Sequence, residues 1–380
     1  MPVPRLSNEL TARIIDYLHD EPPSLKNCAL ACRAFLPRVR YNLFRSVSLH
    51  LKNGDKFARL LEEAPAVGPC VRELHLTVSQ QEQGRSWVDR LLPDMAPALP
   101  NVAALHMRGK GIYRAAPLAT LQSVRSIYIW GCEIESINEF CTIMSSFPHL
   151  EGMYTNEMFV YRSKEITVKN TAQPDNFKTL VFNSARIDPG QLGEWMIREN
   201  IQKSLEYFAC CPIQQVGVPP MSALMAAMGP ALKHYKIALI GLVAQGGFIE
   251  LLEKEATLKS NPNLRVLEFG SPAAYSALYG ADDLSFEWFP TMLGNVSSKM
   301  IETVGFFLWE GDLENLSTSA WDKIISVLES DQFATLLRVE VHVWGDPEKA
   351  KAIVKAVKSR FASFDERGIL FIDDVPDPAC

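Results

Sequence analysis

The sequence has no stretch that reads as a membrane span. Tyr207 to Leu232 comes nearest, because it carries no charged residue. Four prolines, at 212, 219, 220 and 230, interrupt it and Gln214 and Gln215 lie inside, so a buried, turn-rich segment is expected instead. The first residues include Arg5, Glu9 and Arg13 and lack the apolar core of a signal peptide, so secretion is not expected. Nor is there a disulfide framework: eight cysteines at irregular spacing in 380 residues fit the buried thiols of a reducing compartment, the cytoplasm, the nucleus or both. Glycosylation triplets at Asn295 and Asn315 are discounted on the same ground. No surplus of positive charge exists either, since the net charge is -6, and neither nucleic acid nor an anionic membrane is expected as a partner.

Catalytic patterns are missing too. "GLVAQGGF" from Gly241 nearly has the spacing of a phosphate loop, but Gly247 and Phe248 stand where that loop needs Lys and then Ser or Thr, so it reads as a turn. No G-x-S-x-G, H-E-x-x-H or paired-cysteine cluster occurs. Cys28 and Cys32 lie four apart without a second ligand pair, which suits small apolar thiols better than a metal site. His75, His106, His234 and His342 fall inside expected strands and should decorate a strand face. No enzyme activity, cofactor or metal is expected.

What is present is a repeat. The pattern apolar-x-x-apolar-x-apolar recurs in "VRELHL", "VAALHM", "VRSIYI", "FKTLVF", "LEYFAC", "LKHYKI", "LRVLEF", "IETVGF" and "LLRVEV", with a poorer copy in "LEGMYT" and a candidate first copy in "FRSVSL". The fourth positions are Val47, Leu74, Leu105, Ile127, Met153, Leu180, Phe208, Tyr235, Leu267, Val304 and Val339. Most successive gaps lie between 22 and 32 residues, and the last two stretch to 37 and 35. Helical patterns fill the spaces, as in "SAWDKIISVLES", which lines up Trp321, Ile324, Ile325 and Leu328, and "PEKAKAIVKAVKSRF", which opens on Pro347 and aligns Ala350, Ile353, Val354, Val357 and Phe361. Phe57, Leu60, Leu61 and Ala64 do the same early in the chain. A strand, a turn and a helix cannot bury both apolar faces alone, but stacked copies share one core. A doubly wound α/β sheet is the alternative, and the near-constant gap and the missing nucleotide-binding glycine turn oppose it.

This part of the chain resembles leucine-rich repeat proteins, by pattern only, because the Asn or Cys that usually follows the strand is mostly absent; Gly131-Cys132 and Asn183 come nearest. The resemblance implies an α/β solenoid of about ten units over residues 50–375, with parallel strands on the concave side and helices on the convex side.

The first fifty residues differ in charge, with seven Lys or Arg against four Asp or Glu, leaving 31 against 40 for the rest. Ser7 can cap a helix carrying Leu10, Ile14 and Leu18, with Glu9 in its first turn. Pro22 and Pro23 should break the chain before Ser24 caps a second helix, with Leu25, Cys28, Cys32 and Phe35 along one side and Pro37 stopping it. A third is expected over Val39 to Phe44. So small a trio has more apolar surface than it can hide. "LSNEL", "IIDYL", "SLKNCALACRAF" and "YNLFRSVSL" resemble the F-box over residues 4–49, in the manner of fungal-type F-box proteins with C-terminal leucine-rich repeats. Ser7 departs from the usual Pro, Ala31 from Val and Phe35 from Trp.

That resemblance implies the substrate-recognition subunit of a Skp-cullin-F-box ubiquitin ligase, binding a Skp-type adaptor and through it a cullin-RING scaffold. By position it implies adaptor contacts at Leu6, Leu10, Ile14, Ile15, Leu18, Leu25, Cys28, Leu30 and Phe35, some of which must instead hold the three helices together. A stand-alone repeat scaffold, with the first helices merely capping it, is the competing expectation. Period-two alternation turns Tyr128, Trp130, Phe307, Trp309, Glu340, His342 and Trp344 away from the core. Tyr128, Trp130, Phe307, Trp309, His342 and Trp344 are therefore the expected contacts for a protein substrate.

Overall fold

The computed structural model describes residues 7–80, 86–162, 165–169, 176–240, 248–255, 258–271, 274, 286–312 and 319–374. Residues 1–153, 158–164 and 168–174 form one compact unit, and residues 154–157, 165–167 and 175–380 a second.

The first unit begins with three short helices, α1 (Asn8–Asp16), α2 (Pro22–Ala31) and α3 (Leu36–Phe44). Ser7 caps α1 as expected, its Oγ accepting from the Leu10 amide at 3.2 Å. The start of α2 differs from the expectation. Pro22 and Pro23 occupy its first turn, where a missing N–H and a fixed φ do no harm, and Ser24 lies inside the helix, donating to Glu21 Oε2 at 3.0 Å. Likewise Pro37 opens α3 rather than stopping α2, and Phe35 belongs to a 3-10 turn, Arg33–Phe35. Asp16 fastens α1 to α3, accepting from Arg38 Nε at 2.5 Å, from Arg38 Nη2 and from Asn42 Nδ2 at 2.9 Å. The core of the trio is Ile15, Leu25 and Val39, with Leu18, Cys28, Phe35 and Leu43 packed partly against it. Leu10 and Ile14, which with Leu18 follow the expected spacing of four, stay outside that cluster.

Strands β1 (Ser46–His50), β2 (Glu73–Thr77), β3 (Ala104–Arg108) and β5 (Ser126–Trp130) follow, neighbours pairing in parallel. Their registers set Val47, Leu74, Leu105 and Ile127 opposite one another, which are the anchors read from the repeat. Met153 is buried in β7 (Gly152–Asn156). One element was not foreseen: β4 (Ile112–Tyr113), β6 (Glu133–Ser136) and β8 (Phe159–Arg162) pair into a second, shorter parallel sheet.

The second unit continues with β9 (Thr179–Asn183), β10 (Tyr207–Gln214), β11 (His234–Ile240), β12 (Val266–Phe269), β13 (Thr303–Trp309), β14 (Arg338–Trp344) and β15 (Leu370–Asp374), all parallel neighbours in chain order. Leu180, Phe208, Tyr235, Leu267, Val304 and Val339 lie in one row, with Leu370 as an unforeseen last member. The segment expected to be turn-rich is instead β10 followed by the helix Val218–Met228, because its prolines sit at a strand irregularity near Pro212 and in first turns. Helices Ser319–Leu328 and Pro347–Arg360 bury Trp321, Ile324 and Leu328, and Ala350, Ile353 and Val357. Each unit is thus a mixed α/β stack of strand, turn and helix, with a long parallel sheet of the leucine-rich repeat kind.

A shared device joins successive repeats. The carbonyl just before a strand accepts two amides from the next repeat, Arg45 from Arg72 and Glu73, Arg72 from Ala103 and Ala104, Glu206 from Lys233 and His234, and Arg265 from Glu302 and Thr303. At that position side chains of opposite sign pair, as in Arg125 with Glu151, Glu206 with Lys178 and Lys233, and Arg265 with Glu302. Among the described residues no helix is long and apolar enough to cross a membrane.

Candidate functional site

The N-terminal helices divide their apolar residues sharply. Ile15 and Leu25 are enclosed by the trio itself, and Leu18, Cys28 and Phe35 lie at its edge. Leu10 and Ile14 are 51% and 52% exposed, and Tyr17 and Leu30 each 87%. Leu6 lies outside the described residues. Tyr17 had no place among the expected contacts, although Ile15, Asp16 and Tyr17 belong to the quoted "IIDYL".

On the strand faces, side chains at the fifth place of each repeat form rows. In the first unit His75, His106 and Tyr128 stand opposite one another and stack, with ring centroids 4.1 and 4.4 Å apart. Trp130 follows Tyr128 on the same face and is 37% exposed. Among the described residues one trio of metal-capable side chains converges, Glu73, His75 and His106. Burial, helped by the Arg108 charge, lowers the affinity of His75 for a proton. Burial and the neighbouring His75 hold His106 at about 4. Both imidazoles are therefore neutral at physiological pH.

In the second unit the structure brings together four of the expected contacts. The Phe307 ring stacks on His342 at 4.6 Å and meets Trp344 edge-on at 6.3 Å, while Trp309 lies opposite Trp344 in the register. All four are half-buried. The amide of Trp309 donates to the buried carboxylate of Asp312 at 2.8 Å, which tethers the turn after β13.

Next to these aromatics runs a charged row that the sequence reading did not single out, apart from Glu340. Lys236, Glu268, Gly305 and Glu340 are register partners on β11 to β14. Lys236 Nζ sits 3.2 Å above the Phe307 ring and 3.8 Å from Glu268 Oε2, and His234 Nε2 is 3.3 Å from the same oxygen. Burial pushes the Glu268 carboxyl up, but the hydrogen bond from His234 and the charges of Lys236, His234 and His342 outweigh it and leave it below the ordinary carboxylate range. Glu340 pairs with Arg338 at 3.0 Å and with His342 at 3.5 Å. A Cβ at Gly305 would come within 3.1 Å of Glu268 Cγ, so a larger residue there would press on the Glu268 side chain. Reading down the fifth place of the repeats would have found this row.

A cavity of about 430 Å³ lies at the ends of β9 and β10, lined by Arg186, Asp188, Cys211 and Gln214 among others. Burial raises the Cys210 thiol far above its usual range, the reverse of an activated nucleophile. Segment 241–247, read as a turn, lies outside the described residues.

No protein-family model matches the chain, and no curated protein matches it in sequence. Among solved structures it is similar to an internalin (inlF) of Listeria monocytogenes str. 4b F2365, at 12% identity over 77% of this chain and 80% of that chain, with a TM-score of 0.31. At that score the likeness carries no weight, and the fold rests on the strand order and register described above.

Proposed function

We propose that this chain is the substrate-recognition subunit of a Skp-cullin-F-box ubiquitin ligase and catalyses nothing itself. The observation that carries this reading is the exposure of Leu10, Ile14, Tyr17 and Leu30, which the helical trio leaves uncovered. Large apolar side chains that stay wet on a small helical unit mark an interface. In this reading a Skp-type adaptor supplies the cover and links the chain to a cullin-RING scaffold, in the cytoplasm or the nucleus. The row of Phe307, Trp309, His342 and Trp344 then contacts a protein substrate, whose capture Lys236, Glu268 and Glu340 make selective for charge.

A second reading, a stand-alone repeat scaffold, draws on a different observation. Tyr41 of α3 lies between the guanidinium groups of Arg38 and Arg72, at 5.0 and 5.8 Å, so the helices also meet the first repeat as a cap would.

Co-purification separates the two. The chain should form a stable complex with a Skp-type adaptor, and Leu10→Asp with Ile14→Asp should weaken it by more than about tenfold with the melting temperature nearly unchanged. Trp309→Ala with Trp344→Ala should leave the adaptor bound while removing cross-linked substrate proteins. Failure of the unaltered chain to hold the adaptor leaves only the scaffold.

A further inference from the structure

The strand face of the first unit holds a group of side chains that neither proposed interface uses. Glu73 and His75 stand two apart on β2 and so project from one face, and His106 lies opposite His75 on β3. One ligand-capable atom from each of the three lies within 4.8 Å of the other two. We propose that Glu73, His75 and His106 form a three-ligand site for a divalent transition metal ion, with zinc as the reference ion.

Two imidazoles and one carboxylate make a donor set that suits zinc and its neighbours in the first transition row better than calcium or magnesium, which take oxygen almost alone. The carboxylate also offsets part of the ion's charge. In the register Glu73 lies between Ser46 on β1 and Ala104 on β3, with Ser126 beyond, so its strand neighbours are short side chains. All three ligands are partly exposed, so an ion can reach them from solvent.

Neighbours flank both rings. Ser46 Oγ is 3.0 Å from His75 Nε2, and the Tyr128 ring backs His106. Because the two imidazoles are stacked, 13° from parallel, their in-plane lone pairs do not converge, and binding one ion requires each ring to rotate out of the stack, which the broad terminal torsion of histidine permits. Arg108, two residues beyond His106, opposes a cation, and its exposure lets solvent screen that effect. Three protein ligands leave a coordination position for water or for a partner's carboxylate.

The test uses the full chain, purified without a histidine tag and stripped by chelator. Calorimetry should show one zinc ion bound per chain with micromolar or tighter affinity, and cobalt in its place should give the visible absorption of a four-coordinate site. His106→Asn and Glu73→Gln should each weaken zinc by about tenfold or more. His234→Asn, which removes a strand-face histidine of the second unit, should leave the affinity unchanged. Circular dichroism shows whether each variant is folded. No uptake at submillimolar zinc by the folded chain overturns the proposal, and so does equal affinity in folded His106→Asn. Should His106→Asn fail to fold, Glu73→Gln decides, since a cobalt spectrum and zinc affinity identical to the unaltered chain rule out the trio.

Discussion

His106 shows how one side chain carries information that its letter in the sequence does not. It lies between His75 and Tyr128, and burial, the charge of His75 and that of Arg108 lower its proton affinity against the opposing pull of Glu73. Unfolded, a histidine takes up a proton near pH 6.5, whereas folded His106 does so only at about 4. Between those values the unfolded chain binds more protons, so this residue makes stability fall as the pH is lowered through that window and contributes no slope above it. With chelator present, the urea midpoint of the unaltered chain should therefore drop more steeply between pH 6.5 and 4 than that of His106→Asn. Parallel midpoint curves for the two proteins would contradict the assignment. Histidines on the strand face were expected from alternation alone. Their stacking was not, because it depends on which residue of the next repeat comes opposite, and that is a matter of register.

At the scale of elements, the strands were legible and the first helices were misread in detail. A strand that buries one face announces itself by its period, and the row Leu180, Phe208, Tyr235, Leu267, Val304, Val339 was visible for that reason. Proline is ambiguous by comparison, since it breaks a helix from inside yet opens one from its first turn, and Pro22, Pro23 and Pro37 all do the latter. Helices this short need tertiary ties. Asp16 supplies one, and its hydrogen bond from Arg38 leads the effects that hold its carboxyl below the usual range. Asp16→Asn should weaken the tie between α1 and α3, and because the pair is partly solvated the loss should be about 0.5–1 kcal/mol. Hydrogen exchange should rise in residues 8–44 and stay unchanged in β9 to β15; faster exchange in both would show that the tie acts more widely.

At the scale of the whole molecule, stability is expected to be local. Within each unit, successive repeats are bonded through the parallel ladder and, at several strands, through the shared carbonyl that precedes them. Leu267 is fully buried in the second unit. Leu267→Ala should cost about 2–5 kcal/mol, the usual range for a core leucine. Protection against hydrogen exchange should fall first in β11, β12 and β13, and last in β1 to β5. An equal loss in both units would refute the nearest-neighbour picture.

The sequence by itself determined the repeat, the anchor row and the alternation that turns Trp130, Phe307, Trp309, His342 and Trp344 outward, because burial of one strand face imposes a period that survives in the letters. It also placed an excess of apolar surface at the N-terminus. Only the tertiary structure decided how that surface divides, enclosing Ile15 and Leu25 while leaving Leu10, Ile14, Tyr17 and Leu30 in solvent. The same is true of the juxtapositions of Glu73 with two histidines and of Lys236 with Phe307 and Glu268. Apart from Glu73 and His75, which are two apart on one strand, those contacts join residues about thirty positions or more apart, and a one-dimensional pattern holds no distance between side chains until the strands are paired in register.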